Sequence, residues 1–404
     1  MLSLRIWRVI QLIYKSKKPV ILCGAGVTRS QAEEQLHQLN SIIGFPILVT
    51  RGAISLMEEK NDFFCGRPGG YGQRDANLIL QSADLILILG ADLSTSFTGR
   101  SPELFAPNAK KVIVLNSRGR LRIRFMTPYL KFNLDVLKFL HILISKIQLD
   151  KIKINQEERK YWLQKCKNLR SNFKENRKIV NELDNLYDVI ENISEIIPTK
   201  SLVVIEGGII LHATNQIFKV KSGQKIISPN GMENQGYAII AASGLRLFNV
   251  SENEIYILTS TYDFYNNVNY LKEIKSSKVK VIVFVINTEN TNDSYSLHKM
   301  IYPFSTVGTE PIRNHTSIES LMVAWGINFI NVNNIDKNMI KEFIDHEKIE
   351  TQVIQINIGA FQPLMPRPAF SKNKLGQWKA NPLDEMEPEL SLEQKRLFKK
   401  FQNG

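Results

Sequence analysis

Residues 255–296, IYILTSTYDFYNNVNYLKEIKSSKVKVIVFVINTENTNDSYS, constrain the fold more than any other stretch. An apolar run, Ile255, Tyr256, Ile257 and Leu258, stops at the hydroxyl cluster Thr259, Ser260 and Thr261. A second run over 279–286 stops at Asn287 and Thr288. Both read as buried strands, and a polar segment of helix length joins them. The predicted unit is a parallel βαβ, in which ligands sit outside the carboxyl ends of the strands. Neither strand end carries a carboxylate, a His or a Cys at its tip, so the place where chemistry is expected reads as empty.

The first third of the chain uses the same grammar. A strand at 19–23 runs into Gly24-Ala25-Gly26 and a helical pattern over 32–43, the beginning of a dinucleotide fingerprint without its third glycine. Two glycines still allow a tight turn whose N–H groups face a helix start, where a phosphate can sit. Gly24 and Gly26 are therefore candidates for a phosphate site, and a ligand-free strand-to-helix turn is the alternative. Further strands at 46–50, 84–90 and 111–116 and a helix at 74–81 complete a compact parallel-sheet domain over 1–145. A charged linker over 146–185 becomes a helix, with Trp162, Leu163, Cys166, Leu169 and Phe173 on one stripe. A second α/β domain spans 186–360. The tail, 361–404, is extended and punctuated by Pro363, Pro366, Pro368, Pro382 and Pro388, so it cannot be regular throughout. The fold class is α/β, two domains with parallel sheets flanked by helices.

Composition narrows the partners. The 404 residues carry a net charge of +13, but the basic side chains are spread along the chain and no stacking aromatics interleave with them, so no nucleic acid partner is expected. Three widely separated cysteines, Cys23, Cys65 and Cys166, support neither a disulfide framework nor a zinc site. Residues 1–13 form an amphipathic helix interrupted by Arg5 and Arg8, too short to span a bilayer. These features predict a cytoplasmic protein with no membrane partner.

The order of pieces resembles the middle and C-terminal domains of thiamine-diphosphate-dependent enzymes, the catalytic subunit of acetolactate synthase in particular. KKPVILCGAGVTRS, FPILVTRGAI, ADLILILGADLSTSFTGR and FAPNAKKVIVLN are similar to the middle domain in order and spacing. SLVVIEGG, GMENQGYAIIAASG, the strand at Ile255 and VIVFVIN follow the diphosphate-binding domain, and PLMPRPAFSKNKLGQWKANPLDEMEPEL is similar to the family's end segment.

The resemblance implies a transferase or lyase with thiamine diphosphate held through Mg2+ by a strand-end Gly-Asp-Gly and, roughly 25 residues on, an Asn-Asn pair. Here those positions read Thr259-Ser260-Thr261 and Asn287-Thr288, so Ser260, Asn287 and Thr288 stand where the metal ligands are expected. The implied cofactor-binding positions are Gly208, Gly231, Gln235, Ser260, Thr261, Asn287 and Thr288, with Gln235 in place of a cofactor-bending Met, and the family's flavin-binding relatives imply a nucleotide pocket for FAD around Gly24, Gly26, Arg74 and Gly90. Ile209, Ile210 and Leu211 replace polar residues that meet the diphosphate, and Glu233 brings negative charge towards it. Asp263 is the nearest carboxylate, about one helical turn past the ligand position.

The resemblance starts at the middle domain, without the pyrimidine domain whose Glu activates the cofactor, and no catalytic residue is assigned. The expectation is a degenerate, acetolactate-synthase-like pseudoenzyme, inactive alone and acting as a binding or partner subunit, with a homodimer implied by analogy. The alternative is one half of a split carboligase or decarboxylase of 2-oxo acids such as pyruvate, with the pyrimidine domain on a separate chain. His212, His298 and His315 read as structural.

Overall fold

The computed structural model describes residues 2–99, 101–115, 128–174, 185–229, 231, 235–247, 254–276, 279–288, 316–346, 351–359, 362–372 and 376–403. The chain forms two compact units, residues 1–178 with 365–404, and residues 179–364.

The first unit is built on five parallel strands, β1 (Pro19–Cys23), β2 (Ile47–Val49), β3 (Leu85–Leu89), β4 (Lys110–Val114) and β5 (Leu130–Phe132), ordered β2-β1-β3-β4-β5. Every residue of β1 and β3 is buried, as a strand covered on both faces must be. The helix Leu2–Lys15 covers one face with Ile6, Val9, Ile10 and Ile13, which recur at helical spacing and join the core formed by Leu85, Leu87 and Leu89. The helix Arg74–Gln81 covers the other face. The helix Val136–Leu149 begins at Asp135, whose carboxylate accepts from the N–H groups of Leu137 and Lys138 at 3.0 and 3.4 Å. Asp135→Ala leaves two helix-start donors without this partner and is expected to lower the stability of the unit by about 1 kcal/mol in urea unfolding.

The helix Gln156–Lys174 packs the stripe Trp162, Cys166, Leu169 and Phe173 into the same core. Its Trp162 indole donates to the Pro19 carbonyl at 2.9 Å, and Arg159 donates to the carbonyls of Ser16 and Ile13. The C-terminal segment folds back on this unit. It makes two short antiparallel ladders, Arg367–Pro368 with Met386–Glu387 and Phe370–Lys372 with Trp378–Ala380, and ends in the helix Leu392–Asn403. Phe401 lies 5.1 Å from the Trp162 ring, and Lys18 and Lys165 donate to the last carbonyls of that helix, where cations are favoured.

The second unit carries six parallel strands, β6 (Leu202–Ile205), β7 (Lys225–Ile227), β8 (Ile255–Ser260), β9 (Val281–Asn287), β10 (Asn328–Val332) and β11 (Thr351–Asn357), ordered β10-β11-β9-β8-β6-β7. The two apolar runs of the opening motif are β8 and β9, paired in parallel with Ile255 beside Val281, and the helices Thr261–Asn267 and Tyr270–Lys275 lie between them in the chain. From β6 the chain moves outward to β7 and then returns to the other side at β8. The order therefore reverses between β6 and β8, which opens a crevice at their carboxyl ends. Among the described residues, no helix is long and apolar enough to cross a membrane.

Candidate functional site

The crevice of the second unit is bounded by the ends of β6, β8 and β9 and by the start of the helix Tyr237–Leu247. Ser260 is the N-cap of the helix Thr261–Asn267. Its hydroxyl accepts from the Asp263 N–H at 3.1 Å and donates to the Asp263 carboxylate at 2.6 Å. The hydroxyl thus caps the helix through the Asp263 N–H and is held by the Asp263 carboxylate as well. Ser260, the expected metal position, is therefore turned onto its own helix.

The residue that faces β9 is Thr261, whose hydroxyl donates to Asn287 Oδ1 at 3.1 Å. Asn287 Nδ2 donates in turn to Asn357 Oδ1 at 2.8 Å, across neighbouring strands that both end in Ile-Asn. Thr288 is buried just beyond.

Two carboxylates that the strand tips did not announce lie close by. Glu206, fully buried after β6, accepts from the N–H groups of Gly207, Tyr237 and Ala238 at 3.2, 3.0 and 3.1 Å and so caps the helix Tyr237–Leu247. Burial first, and the neighbouring Asp263 second, push the Glu206 carboxyl up to about 7, although its backbone donors favour the ionised form. Asp263 accepts from the Gly236 N–H at 3.2 Å and is also raised, by burial. Both side chains hold the turn at 235–238 against the strand ends. Gly236 has φ +76, and a Cβ there would lie 1.8 Å from Asn267 Nδ2, so the close packing of this turn requires glycine. Gln235 is exposed, and its carbonyl accepts from Asn267 at 3.2 Å.

Gly208 opens the helix Gly208–Ile217, which turns Ile210 and Leu211 into the core, so neither side chain offers a hydrogen bond to a phosphate. Gly231 is exposed, and His212 is half-buried on that helix. Met232, Glu233, Asn234, His298 and His315 lie outside the described residues, as do Arg100, Asn116 and Arg118.

In the first unit, Gly24, Gly26 and Gly90 do meet at the carboxyl ends of β1 and β3, but they bring backbone against backbone. A Cβ on Gly24 would lie 2.3 Å from Ala91 Cα, and one on Gly26 2.6 Å from Gly90 Cα. Gly24 N–H donates to the Leu89 carbonyl and Gly26 N–H to the Gly90 carbonyl, both at 2.9 Å, so these two amides already have protein partners. Arg74 is brought to the tail instead, donating to the carbonyls of Met386 and Pro388.

Residues 6–143 match the model described as "Thiamine pyrophosphate enzyme, central domain", and residues 207–354 match "Thiamine pyrophosphate enzyme, C-terminal TPP binding domain". The chain belongs to the thiamine pyrophosphate enzyme family. It is 26% identical over 284 residues to an acetolactate synthase large subunit of Cyanidium caldarium, an alignment that covers 69% of this chain and 47% of that one. Against acetolactate synthase isozyme 1 large subunit of Escherichia coli it is 24% identical over 280 residues, 69% and 47% of the two chains. The probable acetolactate synthase large subunit of Methanococcus aeolicus is 22% identical over 317 residues, 74% and 51%. The chain thus spans about half the length of the curated relatives it matches.

Membership of the thiamine pyrophosphate enzyme family implies thiamine diphosphate, held typically through Mg2+, and the donors that the described residues bring to the crevice do not fit that pair. Mg2+ takes near-octahedral oxygen ligands and is bound through carboxylates and phosphate. Among the described residues, no carboxylate is directed at Asn287. Glu206 and Asp263 are turned to the helix start at 236–238, and a hydroxyl with its proton fills the place beside Asn287 Oδ1.

Proposed function

We propose that this chain is a family scaffold that has given up metal–diphosphate chemistry and serves as a binding or partner subunit of an acetolactate-synthase-like assembly in the cytoplasm. The observation that carries the reading is the Thr261–Asn287 hydrogen bond at the strand ends. Among the described residues, a diphosphate brought there would meet a neutral hydroxyl and a neutral amide, with the buried Glu206 and the half-buried Asp263 nearby. Ile210 and Leu211, buried on the helix after β6, add no donors.

Calorimetry with thiamine diphosphate in the presence of millimolar Mg2+ tests the reading. The expected result is no heat of binding, and a micromolar Kd overturns it. Turnover of pyruvate by the chain together with a copurified pyrimidine-domain subunit would replace it with the split carboligase.

A further inference from the structure

Cys65 and Cys166 are far apart in sequence, and the fold of the first unit brings them together. Both are free thiols, fully buried in the core cluster that also holds Trp162 and Leu169. The stretch 62–66 runs beside β2. Phe64 bridges to Ile47, the Cys65 N–H donates to the Ile47 carbonyl at 2.8 Å, and the Gly66 carbonyl accepts from the Val49 N–H at 3.0 Å. The helix Gln156–Lys174 lies along the same stretch. Its Lys167 reaches Asp62 at 3.0 Å, its Arg170 stacks over Phe64 at 4.7 Å, and a Cβ on Gly66 would lie 2.3 Å from an Arg170 guanidinium nitrogen. Cys166 precedes Arg170 by one turn on the same helix face, and its thiol is hydrogen-bonded to that of Cys65. Cys23, on β1, packs in the core on the opposite face of the sheet.

Two thiols in contact have two chemical states, a dithiol and a disulfide, and an oxidant decides between them. Burial first, and Cys65 second, push the Cys166 thiol up, so it keeps its proton and stays unreactive while the helix is in place. Reaction therefore begins when the helix loosens from residues 62–66.

We propose that Cys65 and Cys166 are a redox pair that closes to a disulfide and fastens the helix Gln156–Lys174 to the sheet. The oxidant is a small disulfide of the glutathione kind. One protein thiol gives its proton to water and attacks the small disulfide, which releases one small thiol. The second protein thiol then displaces the other. One S–S bond forms and one breaks, two electrons pass to the oxidant, and both protons end on the two small thiols that leave. The new bond closes a loop of about 100 residues, which removes entropy from the unfolded chain. It also adds a covalent tie where Arg170 and Lys167 already hold the helix through Glu59 and Asp62.

The experiment incubates the full chain with oxidised glutathione and reads its intact mass, its crosslinked peptides and its unfolding midpoint, before and after dithiothreitol. The expected result is a mass loss of about 2 Da, a single crosslink joining the peptides of Cys65 and Cys166, and a midpoint several degrees higher that returns on reduction. Cys23→Ala is expected to leave all three changes intact, and Cys166→Ala to abolish them. The crosslink map of the wild-type chain decides the matter even if a variant fails to fold. A chain that keeps its thiols, a lasting glutathione adduct without a crosslink, a crosslink through Cys23, or a disulfide that leaves the midpoint where it was overturns the proposal.

Discussion

The second unit will be more stable at pH 5 than at pH 8, by on the order of 3 kcal/mol, and Glu206 will account for most of the difference. Its carboxyl rises from the ordinary 4.5 to about 7 in the folded chain. A shift of this size corresponds to about 3 kcal/mol at 1.36 kcal/mol per pH unit. The folded state holds the proton more tightly than the unfolded state. The contribution is therefore fully present below pH 4.5 and is lost as the pH rises through about 7. Asp263, also raised by burial, acts in the same direction. Glu195, held down to about 2 by Lys219 and Lys337, acts in the opposite direction, but its contribution changes only below the window from pH 5 to 8. Hydrogen exchange of residues 237–247, corrected for intrinsic rates, reads the effect where Glu206 caps the helix. Glu206→Gln is expected to flatten the profile, and an undiminished pH dependence in that variant would assign the effect to another group.

In the first unit, Arg170→Met will cost about 3–5 kcal/mol, because removing one member of a buried ion network takes a cation away from two carboxylates that stay buried, although Arg67 remains 3.8 Å from Glu59. The Arg170 guanidinium lies 2.7 Å from Glu59 and 3.6 Å from Asp75, donates to Gln73 at 3.0 Å, and stacks over Phe64 at 4.7 Å. Its side chain is 8% exposed and that of Asp75 only 1%, so water cannot replace the lost contact. Two neighbouring carboxylates outweigh the desolvation of Arg170, which keeps the guanidinium charged. Chemical unfolding measures the loss. In a double-mutant cycle with Asp75→Asn, the combined change is expected to cost less than the two single changes together, since the second removes the charge that the first exposes. Strict additivity would mean that the two side chains do not interact.

Much of the architecture was legible because it depends on period and punctuation. Unbroken apolar runs at β1, β3, β8 and β9 ended at glycine, hydroxyl or amide residues, and the predicted helix over 74–81 coincides with Arg74–Gln81. The family resemblance followed from the order of those pieces and agrees with the two matching models. The short strands β5 and β7 were not legible, because LKF and KII each carry a lysine among three residues, whereas the equally short β2 is the unbroken apolar run ILV. The fold-back of the C-terminal segment was also hidden. It is held largely by its main-chain carbonyls, which Arg74, Lys18 and Lys165 reach, and any sequence offers carbonyls.

The site divides in the same way. The parallel pairing of β8 and β9, which makes their carboxyl ends the candidate site, followed from sequence alone. The loss of the expected metal Asp was also visible, since it is a matter of residue identity. Which hydroxyl faces Asn287 was a question of direction. Ser260 and Thr261 are adjacent and chemically alike, and only the folded helix start sends one to Asp263 and leaves the other for β9. Glu206 and Asn357 needed the folded sheet as well: Glu206 meets Tyr237 and Ala238, and Asn357 meets Asn287, across 31 to 70 residues of chain. Sequence thus determined the long apolar strands such as β1, β3, β8 and β9, their order in the chain and the neutral chemistry at the ends of β8 and β9. The tertiary structure decided which of those groups touch, because hydrogen bonds depend on distance and direction in space.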